Sequence, residues 1–278
     1  VQYLSYMGGL LRGDLGVSLY TNRPVATDVA EFLPATLELI LVAAVLMIGL
    51  GLPLGILAAR HRERWPDHLV RVVSLLGVSA PGFVWATGLM LVFSYALGWF
   101  PIAGRIAEAH GDLARTTGFL TLDAALQGDW AAFASAWSHL ALPALALALS
   151  GIGQAARLTR ANMIETYDRP YIEMAQAYGF PEGRIARRYA FKPSLIPSLT
   201  IIGLDIAALL GNAFLVEAVF GWPGLSRYGV QVILRKDLNA IVGTVLIIAT
   251  VFIVVNIVVD LLTTLLNPRI RHAQAGRP

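Results

Sequence analysis

The sequence predicts an all-α, polytopic membrane protein with five visible transmembrane helices. Three observations predict it. Of 278 residues, 56% are hydrophobic and only 14% are charged, against about 25% charged in an average soluble domain. The mean hydropathy is +0.65. The apolar residues lie in long charge-free blocks, not in the short alternating runs of a β-barrel. Helices follow because lipid offers the backbone no outside hydrogen-bond partner. The same composition excludes disorder, which needs low hydrophobicity and high charge. The chain has no cysteine, so disulfides, thiolate nucleophiles and Cys-ligated metals are excluded.

The first 35 residues are moderately polar, with Arg12, Asp14, Arg23, Asp28 and Glu31, and hold no apolar run long enough for a span or signal peptide. Leu39–Ala59 is charge-free and long enough to cross once. Val72–Gly104 is charge-free too, with Gly and Pro inside it, and predicts a span over Val72–Leu97. Trp130–Ala156 predicts a third span near Leu140–Leu158. Pro193–Phe220 is the fourth, interrupted by Asp205 and Glu217. Leu238–Val259 is the fifth, followed by Asp260 and an apolar run to Leu266.

Lys and Arg set the orientation. Fourteen of the 21 basic residues fall in three segments: Arg60–Arg71, Arg157–Lys192 and the tail with Arg269, Arg271 and Arg277. The loop Gly98–His139 instead has two Arg against Glu108, Asp112, Asp123 and Asp129. The positive-inside rule assigns the three basic segments to the cytoplasm. The pI near 9.3 is then a topology signal, and nucleic acid drops out as a partner. The predicted organisation is an extracytoplasmic segment 1–32, a transmembrane domain 33–266 with a cytoplasmic hairpin 161–192, and a cytoplasmic tail 267–278. Five spans with the C-terminus inside leave the N-terminus outside, so a further hydrophobic helix is expected ahead of Val1.

Within the hairpin, Pro170 suits a helix start, Glu173 its first turns and Gly179 a left-handed end. Pro181 starts a second helix that runs through Arg184, Arg187 and Arg188 to about Phe191. Pro193 and Pro197 are expected to flank the entry into the fourth span. Ile172, Ala175 and Gly179 lie at i, i+3 and i+7, so one side of the first helix is small and apolar. Such a side lets another protein approach the backbone closely; a plain positive-inside loop on the membrane surface is the simpler alternative.

Several polar groups sit inside spans. Asp205 lies halfway along the fourth, where a carboxylate costs about 2.5–3.5 kcal/mol and must face the bundle interior or water. It is a pathway candidate or a paired acid in helix packing. Asn256 and Asp260 share one face four residues apart and are read as interhelical hydrogen-bonding residues or gate parts. Glu217, just before the Trp222-Pro223-Gly224 turn, is a gate or an anchor. Gly51-x3-Gly55 permits close helix contact. His110 and His139 are single and far apart, so the chain alone builds no metal site.

The stretch Glu173-Met-Ala175-x3-Gly179 followed by Pro197 resembles the Glu-Ala-Ala-x3-Gly…Leu-Pro loop of ABC importer permeases. Met174 stands for one family alanine and Ile196 for the leucine. Leu33-Pro34-Ala35-Thr36-Leu37-Glu38-Leu39, Ser79-x-Pro81-x-Phe83, Leu97-Gly98-Trp99-x-Pro101-x-x-Gly104 and Glu217-Ala-Val-Phe220-Gly-Trp222-Pro223-Gly224-Leu225 resemble the dipeptide/oligopeptide/nickel branch, first permease of the pair. So do Thr121-Leu-Asp123, Gly128-Asp129-Trp130, Leu142-Pro143-Ala144, Asn256-x3-Asp260 and Asn267-Pro268-Arg269. The likeness runs nearly the whole chain in order.

The resemblance implies a type I permease fold in the bacterial inner membrane. It implies a second homologous permease, two cytoplasmic ATP-binding subunits and an extracytoplasmic solute-binding protein as partners, and no cofactor or metal. It makes Glu173, Ala175 and Gly179, supported by Arg184, Arg187 and Arg188, the ATPase-coupling residues. No Gly-x4-Gly-Lys-Ser/Thr phosphate loop is present, so ATP chemistry and any catalytic residues are expected on partner subunits. Substrates would be di- or oligopeptides, or nickel or another small solute. A self-sufficient secondary transporter would need its own coupling acids and often an internal repeat; Asp205 alone speaks for it. A membrane enzyme would need clustered catalytic groups, and none appears.

Overall fold

The computed structural model describes residues 8–10 and 12–266. The tail 267–278, with Arg269, Arg271, Arg277 and the Asn267-Pro268-Arg269 element, lies outside the described residues, as does part of the N-terminal segment. The described chain is all helix and loop apart from one isolated bridge, Val17 to Pro24. In order the helices are α1 (Val25–Arg60), α2 (Trp65–Ser79), α3 (Gly82–Leu89), α4 (Leu120–Gln127), α5 (Trp130–Tyr167), α6 (Pro170–Ala177), α7 (Glu182–Arg184), α8 (Lys192–Val219), α9 (Leu225–Leu234) and α10 (Leu238–Leu266). Two π-helical stretches, Met90–Ala96 and Ile185–Phe191, follow α3 and α7.

Among the described residues, four helices are long and apolar enough to cross a membrane: α1, α5, Pro197–Val219 of α8 and Leu238–Leu261 of α10. The predicted span Val72–Leu97 is not one helix. It breaks between α2 and α3, a bend that makes this stretch a broken span or a re-entrant loop. The reason is Pro81. A proline pushes the residue before it out of the helical region, and Ala80 is extended at φ −104, ψ 136.

Pro197 opens the apolar stretch Pro197–Val219 and Pro193 lies just before it, so the two flank the entry to that span as expected, while the helix itself starts earlier, at Lys192. Proline lacks the N–H for the carbonyl four residues back and clashes with it. The wider π turn over Ile185–Phe191 eases that clash. The carbonyl left over, on Tyr189, accepts the Tyr171 hydroxyl at 3.3 Å.

The chain divides into two compact units. One comprises Val1–Val42, Gly82–Leu147 and Leu209–Ile253. Its core gathers Val25, Val29, Leu225, Tyr228, Val232 and Ala240, with Phe32 stacked on Tyr228 at 5.0 Å. The segment before α1 is tied into this unit by Asp237, which is fully buried. Its carboxylate accepts the Ser18 hydroxyl at 2.6 Å, the Tyr20 N–H at 3.1 Å and the Ala240 N–H at 3.2 Å. Burial pushes the Asp237 carboxyl up, but these donors outweigh it, and the net direction is below the usual carboxylate range.

A lowered folded value stabilises the protein above the unfolded value and loses that contribution as pH falls through the folded one. Protection of the Tyr20 and Ala240 amides in hydrogen exchange is therefore expected to hold from neutral pH down to about pH 4 and to fall below it. Asp237→Asn should show the loss already at neutral pH. Equal protection in both proteins at pH 7 would refute the tie.

The other unit comprises Ala43–Pro81, Ala148–Ala208 and Val254–Pro278. Here α1 crosses α5 at glycine. A Cβ placed on Gly55 would lie 2.6 Å from the Ala156 carbonyl oxygen and 2.6 Å from Thr159 Cβ. One placed on Gly51 would lie 2.7 Å from Ala155 Cβ. The Gly51-x3-Gly55 pattern thus marks a true backbone crossing. In the same unit Asp67, fully buried at the start of α2, accepts Arg160 of α5 at 2.5 and 2.8 Å and the Glu63 N–H at 3.0 Å.

Candidate functional site

The hairpin forms as its residues dictate. Pro170 occupies the first turn of α6, where its missing N–H costs nothing, after an extended Arg169. Gly179 takes φ +73. The Phe180 N–H reaches the Ala175 carbonyl at 3.2 Å and the Gly179 N–H reaches Gln176 at 2.8 Å. This pair of bonds is a Schellman end, which needs the left-handed residue that glycine supplies. Pro181 is the N-cap of α7. Phe180 stacks on Tyr189 at 5.8 Å, and the Arg184 guanidinium lies 5.7 Å from the Phe180 ring.

One side of α6 faces inward. Ile172 and Ala175 are buried with Ile185 and Ala190 of the next helical stretch, Ala59 of α1 and Met163 of α5. The small apolar side read from the sequence is therefore used within the chain, and Ala175 is not at the surface. Glu173, Gly179, Arg184, Arg187 and Arg188 are exposed. The outward face carries Tyr171, Met174 and Tyr178, exposed at 44%, 60% and 75%. These three also follow the i, i+3, i+7 spacing, a signal present in the sequence. A cavity of about 190 Å³ beside the hairpin is lined by Arg60, Arg62, Tyr167, Gln176 and Glu182 among others.

The intramembrane candidates divide between the two units. Asp205 and Asn256 are half-buried and Asp260 is exposed, all in the second unit described. The Oδ2 atom of Asp205 is buried without a hydrogen-bond partner among the described residues. Glu217 belongs to the other unit and is fully buried. It accepts the Thr36 hydroxyl at 2.5 Å and the Arg227 N–H at 2.7 Å. Thr36 in turn accepts the Leu225 N–H at 2.8 Å. The first N–H groups of a helix lack internal partners and attract negative charge, so Thr36 and Glu217 together cap α9. Gly224 is required beside them, since a Cβ there would overlap the Glu217 carboxylate. Of the two readings of Glu217, gate or anchor, this geometry supports the anchor.

Glu38 does the same for α4, which sequence reasoning missed. It accepts Thr121 through its N–H at 2.9 Å and its hydroxyl at 2.6 Å. It also pairs with Arg105, and both side chains are buried. Arg105 donates to the Gly118 carbonyl at 2.9 Å and lies 5.4 Å from the Trp222 ring. Burial lowers the Arg105 guanidinium from its ordinary value, and Glu38 opposes that. Trp222 donates to the Ala35 carbonyl at 3.0 Å. The sequence elements around Leu33–Leu39, Gly104, Thr121 and Glu217–Leu225 thus converge on one buried polar network.

The sequence matches the family model of the binding-protein-dependent transport system inner membrane component over residues 51–272. It is 42% identical over 270 residues to the probable D,D-dipeptide transport system permease protein DdpB of Escherichia coli, covering 97% of this chain and 79% of that one. It is 40% identical over 271 residues to the di/tripeptide transport system permease protein DppB of Pseudomonas aeruginosa, covering 98% and 80%. Among solved structures, the inward-facing MetNI methionine ABC transporter matches with a TM-score of 0.62 at 14% identity, over 84% of this chain and 93% of that one. At that identity the structural likeness speaks for the fold alone.

Proposed function

The chain belongs to the binding-protein-dependent transport system inner membrane component family, and we propose that it forms part of the path for di- or oligopeptides in an ATP-driven importer. The peptide substrate is supported by the names of relatives 37–42% identical over nearly the whole chain. In this reading residues 1–32 lie outside and 33–266 form the permease. The hairpin 161–192 and the tail 267–278 lie inside. A second permease, two ATP-binding subunits and a soluble binding protein complete the assembly. ATP hydrolysis takes place on the separate subunits.

The observation that carries the coupling role is the two-sided hairpin. Its inner side is locked into the chain's own core, and its outer side presents Tyr171, Met174 and Tyr178 beside Glu173 and the three arginines. Exposed aromatic and methionine side chains on a rigid helix suit an apolar groove of a partner. Asp205, Asn256 and Asp260 remain pathway candidates in this reading.

The test replaces Met174 and Tyr178 with aspartate. Both side chains are exposed, so insertion and folding should be retained. Peptide uptake and substrate-stimulated ATP hydrolysis by the assembled importer are expected to drop at least about tenfold, the loss of about 1.4 kcal/mol or more typical of a packed anchor. Full uptake with full stimulation in that variant would sink the coupling assignment.

A further inference from the structure

We propose that Arg235 and Lys236 form a binding site for an anionic phospholipid headgroup at the N-terminal end of α10. Leu238 opens both α10 and the apolar stretch long enough to cross a membrane. The hydrocarbon boundary therefore lies near Leu238, and residues two and three positions earlier sit at headgroup depth. Only 11% of that apolar stretch is buried within the chain, which leaves most of it to the bilayer and the second permease.

The local geometry fits a phosphate with acyl chains below it. Leu234 and Leu238, exposed at 73% and 72%, bracket the two basic residues. Arg235 and Lys236 are themselves exposed. Among the described residues neither joins an ion pair. Asp237, the adjacent acid, is buried and its carboxylate is taken up by Ser18, Tyr20 and Ala240, so it pairs with neither cation, and two cations with one anion leave this turn a net positive formal charge. The Arg235 guanidinium lies 4.2 Å from the centre of the Tyr20 ring, which fixes its direction. Lys236 adopts φ +58, a left-handed conformation that glycine or asparagine holds at less cost. A soluble partner would leave the flanking leucines in water before docking. A bilayer covers them at all times, and this favours lipid.

The test offers the full chain in detergent equal amounts of phosphatidylglycerol and phosphatidylcholine and reads the bound lipids by native mass spectrometry. Wild type is expected to retain phosphatidylglycerol preferentially. Removing two interfacial charges in R235Q/K236Q should weaken that preference about 30-fold. R235K/K236R should keep it. The ratio of two lipids on the same folded molecules is independent of folded yield. Equal retention of both lipids by wild type, or an undiminished preference in R235Q/K236Q, would overturn the site. So would displacement of the lipid by inorganic phosphate at equal concentration. If R235Q/K236Q kept its lipids but lost affinity for the soluble binding protein, the patch would be a protein-docking surface instead.

Discussion

Replacing Arg105 with leucine is expected to destabilise the protein by about 3–5 kcal/mol, the range for stranding one member of a buried ion pair. Glu38 would keep its two bonds from Thr121 but lose its only cationic partner among the described residues. The Gly118 carbonyl would lose its guanidinium donor. The double variant E38L/R105L should recover a substantial part of the loss, because two apolar groups replace the pair without leaving a buried charge. Thermal unfolding in detergent, read in a double-mutant cycle, measures both. A single R105L variant that unfolds at the wild-type temperature would show that the pair contributes nothing.

Gly55→Leu is expected to cost about 3 kcal/mol or more, at or beyond the usual upper range for overpacking. Even a methyl would meet both Thr159 and the Ala156 carbonyl oxygen. Trimming Thr159 relieves only the first contact. The second is backbone, so no side-chain change restores the room. Gly55→Leu/Thr159→Gly should therefore remain far below wild type in the yield of monodisperse protein. Recovery to wild-type yield would mean that α1 and α5 move apart at little cost.

The legible part of this molecule is what depends on neighbours in sequence. Long apolar runs mark α1, α5, α8 and α10 because each span needs only its own apolar residues. Pro170, Gly179 and Pro181 marked the hairpin because caps are local. The break at Pro81 is equally local, yet the length and apolarity of the surrounding run outweigh a single proline and predict one span. The burial of Ala175 is illegible for a different reason. Spacing identifies a face but not what covers it, and Ala59 and Met163 come from distant helices.

The caps on α4 and α9 were the least legible. Neither helix has a capping side chain at its own N-cap, Phe119 or Gly224. Their donors are satisfied by Glu38, Thr36 and Glu217, which lie 83, 189 and 10 residues from the amides they bind. Glu38 and Glu217 stood inside quoted sequence elements, but no periodicity pairs a carboxylate with a helix end so far along the chain. Arg105 counted only as one of two arginines in an acidic loop.

The burial of Ile172 and Ala175 also fixes the mechanics of the hairpin. A lever works only if it is stiffer than what it moves. Close-packed interiors are nearly incompressible, and the Tyr171–Tyr189 bond adds a cross-brace to the seat formed by Ala59, Met163 and Ile185. In the proposed coupling role, a push on Tyr178 or Met174 would be transmitted to the ends of α1 and α5 as displacement rather than absorbed as deformation. Softening the seat, for instance with Ile172→Ala, would introduce backlash while leaving the outer face unchanged.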